Sequence, residues 1–313
     1  MGSIPYPDID PILFTLGPLA VRWYGLSYVA GFIVGGLIVR SLNRRWEVGL
    51  SDDDLLDVVL ASVVGLVVGA RLGYVLFYGA GRYWSDPLSV LAIWDAGMSF
   101  HGGLIGILLA GWLVARRKNI STLRLYDMGA VGAPIGLFLG RLANFINGEL
   151  WGRPTDLPWG MVFPGAPGTL PRHPSQLYEA LLEGLVLFVV LIVLSRRKRP
   201  DGFMIGMLLT LYGVFRIFVE FFREPDVQLG FITGGLTMGQ LLSVPMLGVG
   251  LWLVVRAVRA ERRERLAVAD APADRPDGGA SDGGGDTGWT DGAGDSRGAA
   301  GAEDGEGPGE AGA

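Results

Sequence analysis

The chain has 313 residues, of which half are hydrophobic and only 18% charged, against about a quarter charged in ordinary soluble domains. It has no cysteine and two histidines, His101 and His173, which excludes disulfides and thiolate chemistry of its own and argues against a multi-histidine zinc centre. The net charge of −5 divides unevenly: from Leu266 onward there are eleven acidic residues and two arginines, so the tail carries −9 and the remainder +4.

Seven apolar stretches lie near residues 20–40, 56–78, 98–115, 126–147, 176–195, 203–222 and 237–255. Stretches of about 18 to 20 apolar residues suffice to cross a bilayer. The expected fold class is therefore all-α: a polytopic membrane protein with seven transmembrane helices. The N-terminus lacks the basic, apolar and small-residue succession of a cleaved signal peptide, so targeting falls to the first span.

Basic residues orient the set. Arg44 and Arg45 follow the first span; Arg116, Arg117 and Lys118 follow the third, and Arg124 precedes the fourth. Arg196, Arg197, Lys198 and Arg199 follow the fifth; Arg256, Arg259, Arg262, Arg263 and Arg265 follow the seventh. With seven spans these clusters share one side, and the opposite loops carry only Arg82, Arg153, Arg172 and Arg223. The positive-inside rule then places the N-terminus outside and the C-terminus in the cytoplasm. The clusters read as topological signals, and no nucleic-acid partner is expected.

Residues 148–175 hold Trp151, Trp159, Met161, Phe163 and six prolines, the composition of an ordered cap at the outer interface. Residues 1–258 are expected to form the membrane domain. Residues 259–313 supply a basic anchor and then an acidic, Gly/Ala/Asp-rich tail without apolar periodicity, expected to be disordered. Gly31 with Gly35, and Gly132 with Gly136, are small-residue patterns for close helix packing.

Polar groups collect at the outer ends of five spans. They are Tyr24 in the first, His101 in the third, and Arg141, Asn144, Asn147 and Glu149 around the end of the fourth. His173, Ser175, Gln176, Tyr178 and Glu179 open the fifth; Tyr212, Arg216 and Glu220 lie in the sixth, with Arg223 beyond. A guanidinium at the edge of hydrocarbon is costly unless paired. Arg141 and Asn144, three residues apart, share a helix face, so one cation and several amides suit an anion that bears hydroxyls, such as a lipid headgroup. Plainer roles stand beside these. Arg216 and Glu220 form an ion pair that eases insertion; Glu179 and Glu183 bond neighbouring helices; Tyr24 belongs to an aromatic belt; His173 positions a loop; Arg71 pairs with a carboxylate.

Several long motifs carry a resemblance. They are Gly140-Arg141-Leu142-Ala143-Asn144-Phe145-Ile146-Asn147-Gly148-Glu149-Leu150-Trp151-Gly152-Arg153, Trp23-Tyr24-Gly25, Ser99-Phe100-His101-Gly102-Gly103 and His173-Pro174-Ser175-Gln176-Leu177-Tyr178-Glu179. To these add the run from Tyr212 through Arg216 and Glu220 to Asp226, and Met238-Gly239-Gln240. In order and spacing, over about residues 5–258, the chain resembles bacterial prolipoprotein diacylglyceryl transferase.

The resemblance implies a plasma-membrane enzyme with an outward-facing site. It would transfer the diacylglyceryl group of phosphatidylglycerol to the lipobox cysteine of a preprolipoprotein, forming a thioether and releasing glycerol phosphate, with no metal or organic cofactor. On that reading Arg141 and Arg216 clamp the phosphate, and Asn144, Asn147 and Glu149 hold the headgroup. Glu220 orients Arg216, and Tyr212, Arg223 and Tyr24 line the lipid site. His101 is the candidate base for the cysteine, with thiolate formation assisted by Arg216 alone as the alternative. A transporter is the rival class. Against it, the polar groups crowd one half of the membrane and no inverted repeat is visible.

Overall fold

The computed structural model describes residues 4–269, apart from residues 8, 18, 80, 82, 84, 85, 93–96, 226–229, 231, 233 and 234. The acidic tail, with its expected disorder, and Arg82 lie outside the described residues.

The chain opens with a hairpin that the span count did not anticipate. β1 (Ile12–Leu16) pairs antiparallel with β2 (Leu19–Arg22), Leu16 opposite Leu19 and Ile12 opposite Arg22, with a bulge between Ile12 and Phe14. Gly17 has φ +59, the left-handed conformation that the two-residue connection needs. Apart from this ribbon the described fold is helical, an addition to the all-α expectation rather than a different class.

Among the described residues, seven long helices follow, with a short 3-10 turn at Pro87–Leu91 between the second and third: α1 (Trp23–Trp46), α2 (Asp52–Tyr78), α3 (Phe100–Arg117), α4 (Thr122–Ile146), α5 (Ser175–Leu194), α6 (Phe203–Val219) and α7 (Met238–Ala269). Five of them, α1, α2, α4, α5 and α7, are long and apolar enough to cross a membrane; α6 is apolar but shorter. The chain is a multi-pass membrane protein. Leu76, Phe77 and Phe100 are at least 70% exposed, an outward apolar surface suited to lipid rather than water. α7 overruns its expected end near 255 and carries Arg256, Arg259, Arg262, Arg263 and Arg265 on the same continuous helix.

Caps set the boundaries at the arginine-cluster end. Asn43 closes the turn after α1 by donating to Leu50 O at 2.8 Å and accepting from Leu50 N at 3.1 Å. Ser51 and Asp54 then form a reciprocal capping box at the start of α2. Buried Asp127 accepts from Gly202 N at 2.8 Å and Ile205 N at 2.9 Å, satisfying the orphan donors that open α6. The largest buried cluster sits near these caps, where Trp46, Leu42, Met128, Val131, Leu187, Leu191 and Met204 are almost inaccessible.

Small residues let the helices approach closely. A Cβ built on Gly31 would meet Gly136 Cα at 3.2 Å, and one on Gly132 would meet Gly35 Cα at 3.1 Å, so the two glycine pairs read from the sequence are the contact between α1 and α4. α2 and α3 pack likewise: a Cβ on Gly73 would lie 2.8 Å from Gly102 Cα.

Candidate functional site

The end of α4 arranges the first part of the site. Gly148, with φ +64, stops the helix in a left-handed residue. Its N–H donates to Phe145 O at 3.0 Å, and Glu149 N donates to Asn144 O at 3.1 Å, the paired bonds of a Schellman ending. That reversal presents the Glu149 carboxylate back to the helix. Its Oε1 accepts from Asn144 Nδ2 at 2.8 Å and from Asn147 Nδ2 at 3.3 Å, while Arg141 Nη1 donates to Asn144 Oδ1 at 3.4 Å. An acid at a helix C-terminus opposes the dipole, so Glu149 is held there by these donors and not by the helix end.

The second part is a cluster of arginines around one carboxylate. Glu179, fully buried, places Oε2 at 2.7 Å from Arg141 Nε and 3.2 Å from Arg216 Nη1, and Oε1 at 2.9 Å from Arg223 Nη1. Glu183, also fully buried, lies farther off, at 3.9 Å from Arg141 Nη2 and 3.8 Å from Arg216 Nη1. Glu220 pairs with Arg216 Nη2 at 2.9 Å. The arginines come from α4, α6 and the turn after α6, and the acids from α5 and the end of α6. Arg141 and Arg216 keep 18% and 13% of their side chains accessible.

Local sequence explains how these elements meet. A Cβ on Gly184 would lie 2.6 Å from Phe138 Cβ, so glycine there lets α5 press against α4 one turn before Arg141. Residues Ala180–Val186 of α5 are wound as a π-helix, a widened turn between and around the two glutamates. A Cβ on Gly239 would lie 2.8 Å from Glu220 Cδ, so glycine in the first turn of α7 makes room for that carboxylate.

The segment 148–175 covers this end through short backbone bridges, Gly152 to Arg223 and Arg172 to both Pro154 and Met161. Arg153 donates to Arg223 O at 2.9 Å and Glu220 O at 3.2 Å, capping the carbonyls that end α6. Arg172 pairs with Glu224 at 3.0 Å. Phe163 is buried, its ring 5.2 Å from Tyr6 and 6.3 Å from Trp151. His173 belongs to this cap: Trp159 Nε1 lies 2.8 Å from Tyr178 Oη, which is 3.1 Å from His173 Nδ1. Burial pushes the His173 imidazole below its usual pKa.

The remaining sequence candidates sit around this centre or apart from it. Tyr24 stacks edge-on with Tyr28 at 5.3 Å and lines a largely apolar groove of about 400 Å³ with Ala20, Val21, Leu26 and Val29. Tyr212 packs against the core cluster one turn before Arg216. His101 is exposed in the first turn of α3, and its ring meets Phe100 at 5.6 Å rather than any member of the arginine cluster. Among the described residues Arg71 takes no carboxylate. It donates to the carbonyls of Ser89 at 2.7 Å, Val90 at 2.9 Å and Gly97 at 3.2 Å, holding the segment that leads to His101. From sequence Glu179 stands among the polar groups at the outer end of the fifth span, with bonding to a neighbouring helix as its plainer role, and nothing assigns it to the arginines. Its position six residues after His173, within the motif Pro174-Ser175-Gln176-Leu177-Tyr178-Glu179, was the one local signal of anything more. Among the described residues no three His, Asp or Glu side chains converge as a metal site.

A set of largely buried guanidiniums balanced by carboxylates and flanked by amides, inside a bundle of apolar helices, defines a multi-pass membrane protein with a charged polar centre. Residues 11–256 match the family model for prolipoprotein diacylglyceryl transferase. The chain belongs to that family. It is 54% identical over 254 residues to the phosphatidylglycerol–prolipoprotein diacylglyceryl transferase of Geobacter sulfurreducens, covering 81% of this chain and 97% of that protein. It is 52% identical over 267 residues to the enzyme of the same name from Oleidesulfovibrio alaskensis, covering 84% of this chain and 98% of that one. The Rhodospirillum centenum enzyme of that name is 52% identical over 274 residues, 86% of this chain and 99% of its own length.

Proposed function

We propose that this chain transfers the sn-1,2-diacylglyceryl group of phosphatidylglycerol to the lipobox cysteine of a preprolipoprotein, at a site on the outer side of the plasma membrane. The observation that carries the reading is the placement of Arg141 and Arg216 on one buried carboxylate, beside the Asn144–Glu149–Asn147 network. Guanidinium groups bind phosphate through paired N–H donors, and amides and carboxylates serve glycerol hydroxyls.

The chemistry is a displacement at the glyceryl carbon next to the phosphate. The cysteine thiol gives up its proton, its sulfur bonds to that carbon, and the carbon–oxygen bond to phosphate breaks with its electron pair going to oxygen. A phosphodiester with one negative charge becomes a monoester with two. Arg141 and Arg216 stabilise the added charge where it develops, and they act in a low-dielectric site where such interactions count for more than in water. Asn144, Asn147 and Glu149 hold the departing glycerol. Glu220 orients Arg216, Arg223 completes the positive field, and Tyr24 and Tyr212 line the lipid site. His101 takes the thiol proton, its exposed ring open to an incoming peptide.

In this reading all seven helices span the membrane, with α3 and α6 as the short members, and the arginine clusters face the cytoplasm. Because the chain has no cysteine, single cysteines report its orientation directly. Thr169→Cys should react with an impermeant thiol reagent on intact cells and Lys198→Cys should not; the reverse pattern would invert the topology. The activity itself is tested with purified protein, phosphatidylglycerol and a lipobox peptide. Gain of a diacylglyceryl mass on the peptide cysteine is expected, and lipid movement without peptide modification would favour a transporter.

A further inference from the structure

We propose that Glu179 is the positioning residue of the phosphate clamp: one buried carboxylate that gathers the guanidiniums of Arg141, Arg216 and Arg223 and fixes the directions in which the first two face the substrate. The inference rests on the clamp reading above and adds the residue through which the clamp is built.

Three cations brought together from α4, α6 and the following turn repel one another strongly where water is excluded. Glu179 lies among them with no accessible surface and uses both oxygens, Oε2 on Arg141 and Arg216 and Oε1 on Arg223. Among the described residues no other acid comes within 3.2 Å of all three. Glu220 pairs with Arg216, and Glu183 stands 3.8 to 3.9 Å from Arg216 and Arg141, its two buried oxygens lacking any hydrogen-bond donor. Glu183 therefore fixes no direction, whereas Glu179 does.

The atoms engaged matter. Glu179 contacts Arg141 through Nε and Arg216 through Nη1. Each guanidinium has five N–H donors in a rigid plane, so one anchored edge leaves another edge to meet a phosphate. An unanchored arginine in the same place keeps its charge but not its heading. Clamp geometry off by a fraction of an ångström forfeits much of its effect on a developing charge.

The experiment uses full-length protein and single-turnover transfer from phosphatidylglycerol to a lipobox peptide. The variants are Glu179→Gln, Glu179→Asp, Arg141→Lys, Arg141→Ala and the Glu179→Gln/Arg141→Lys double mutant. Glu179→Gln replaces a carboxylate paired with three guanidiniums by an amide whose NH2 faces them, and the rate should fall by about 100-fold or more. Glu179→Asp restores the charge one methylene short and should recover at least about tenfold of that loss. If Glu179 acts through Arg141, the double mutant should be within about threefold of the slower single mutant, whereas independent losses multiply. Rescue by aspartate together with a non-multiplying double mutant supports the proposal. A Glu179→Gln rate near wild type, or losses that multiply, overturns it. Should Glu179→Gln fail to fold, the same cycle is run with Glu179→Asp and read by the same rule. Near-normal transfer in both Arg141→Lys and Arg141→Ala would instead sink the clamp reading, an outcome separate from failure of Glu179 alone.

Discussion

Asn144 stands between Arg141 and Glu149 with its side-chain amide oriented by both: its oxygen accepts from Arg141 at 3.4 Å, and its nitrogen donates to Glu149 Oε1 at 2.8 Å. The amide has one acceptor end and one donor end, and each meets its complement. A charged residue from inside the helix and an acid from beyond its end are thereby joined through a neutral group.

That relationship predicts the effect of Asn144→Asp. The substitution keeps the shape but turns the donor into a second carboxylate facing Glu149, and it offers Arg141 an anion that competes with phosphate. Transfer should fall by about 100-fold, with the protein still inserted and stable in detergent. The measurement is the lipidation rate of a lipobox peptide alongside size-exclusion behaviour. A rate within about threefold of wild type would take the amide out of the site.

His101 makes a different prediction, because the structure keeps it apart from the arginines. If it accepts the thiol proton, His101→Gln should preserve phosphatidylglycerol binding and lose rate. The lost rate should partly return as pH rises toward the cysteine pKa of about 8.5, where the substrate ionises unaided. Wild type should respond less over the same interval. Equal pH profiles and equal rates would make His101 a structural residue and move thiol activation to Arg216 and its surroundings.

His173 should couple the cap to pH. Trp159 donates to the Tyr178 hydroxyl, which shares a hydrogen bond with His173 Nδ1 inside the cap. The folded-state pKa of His173 is lowered by burial. The sign follows: this stability is present above the ordinary imidazole pKa of about 6.5 and is lost as pH falls below it towards the folded-state value. Thermal unfolding of wild type should weaken between about pH 7.5 and pH 5, and His173→Gln should weaken less. Parallel losses in the two proteins would show that the ring contributes nothing to that dependence.

The sequence made the spans legible because lipid demands long apolar runs, and α4 carried its own signal in the three-residue spacing of Arg141 and Asn144. Glycine pairs marked the α1–α4 contact for the same reason, since a local pattern reported a local need for close approach. What stayed hidden was set by distant partners. Glu179 meets Arg216 and Arg223 from 37 and 44 residues away, so no local spacing marks it as their shared partner. Arg71 found backbone carbonyls, which have no sequence signature, in place of a carboxylate. The π-wound turn after Glu179 and the capping role of Asp127 likewise depend on neighbours that only the folded bundle supplies. The hairpin had a legible mark in Gly17-Pro18 between two apolar runs, but the apolar character of Leu19–Arg22 merged it with the first span.

The central claim is a displacement at carbon with the phosphate leaving as a monoester. Purified protein should therefore be run in 18O-labelled water with phosphatidylglycerol and a lipobox peptide, and both products weighed by mass spectrometry. The account predicts one diacylglyceryl group gained on the peptide cysteine for each glycerol phosphate released, and no 18O in that glycerol phosphate, because the bridging oxygen departs with phosphorus. An 18O-labelled glycerol phosphate would mean that water attacks phosphorus, and release without peptide modification would mean hydrolysis in place of transfer; either result would contradict the account.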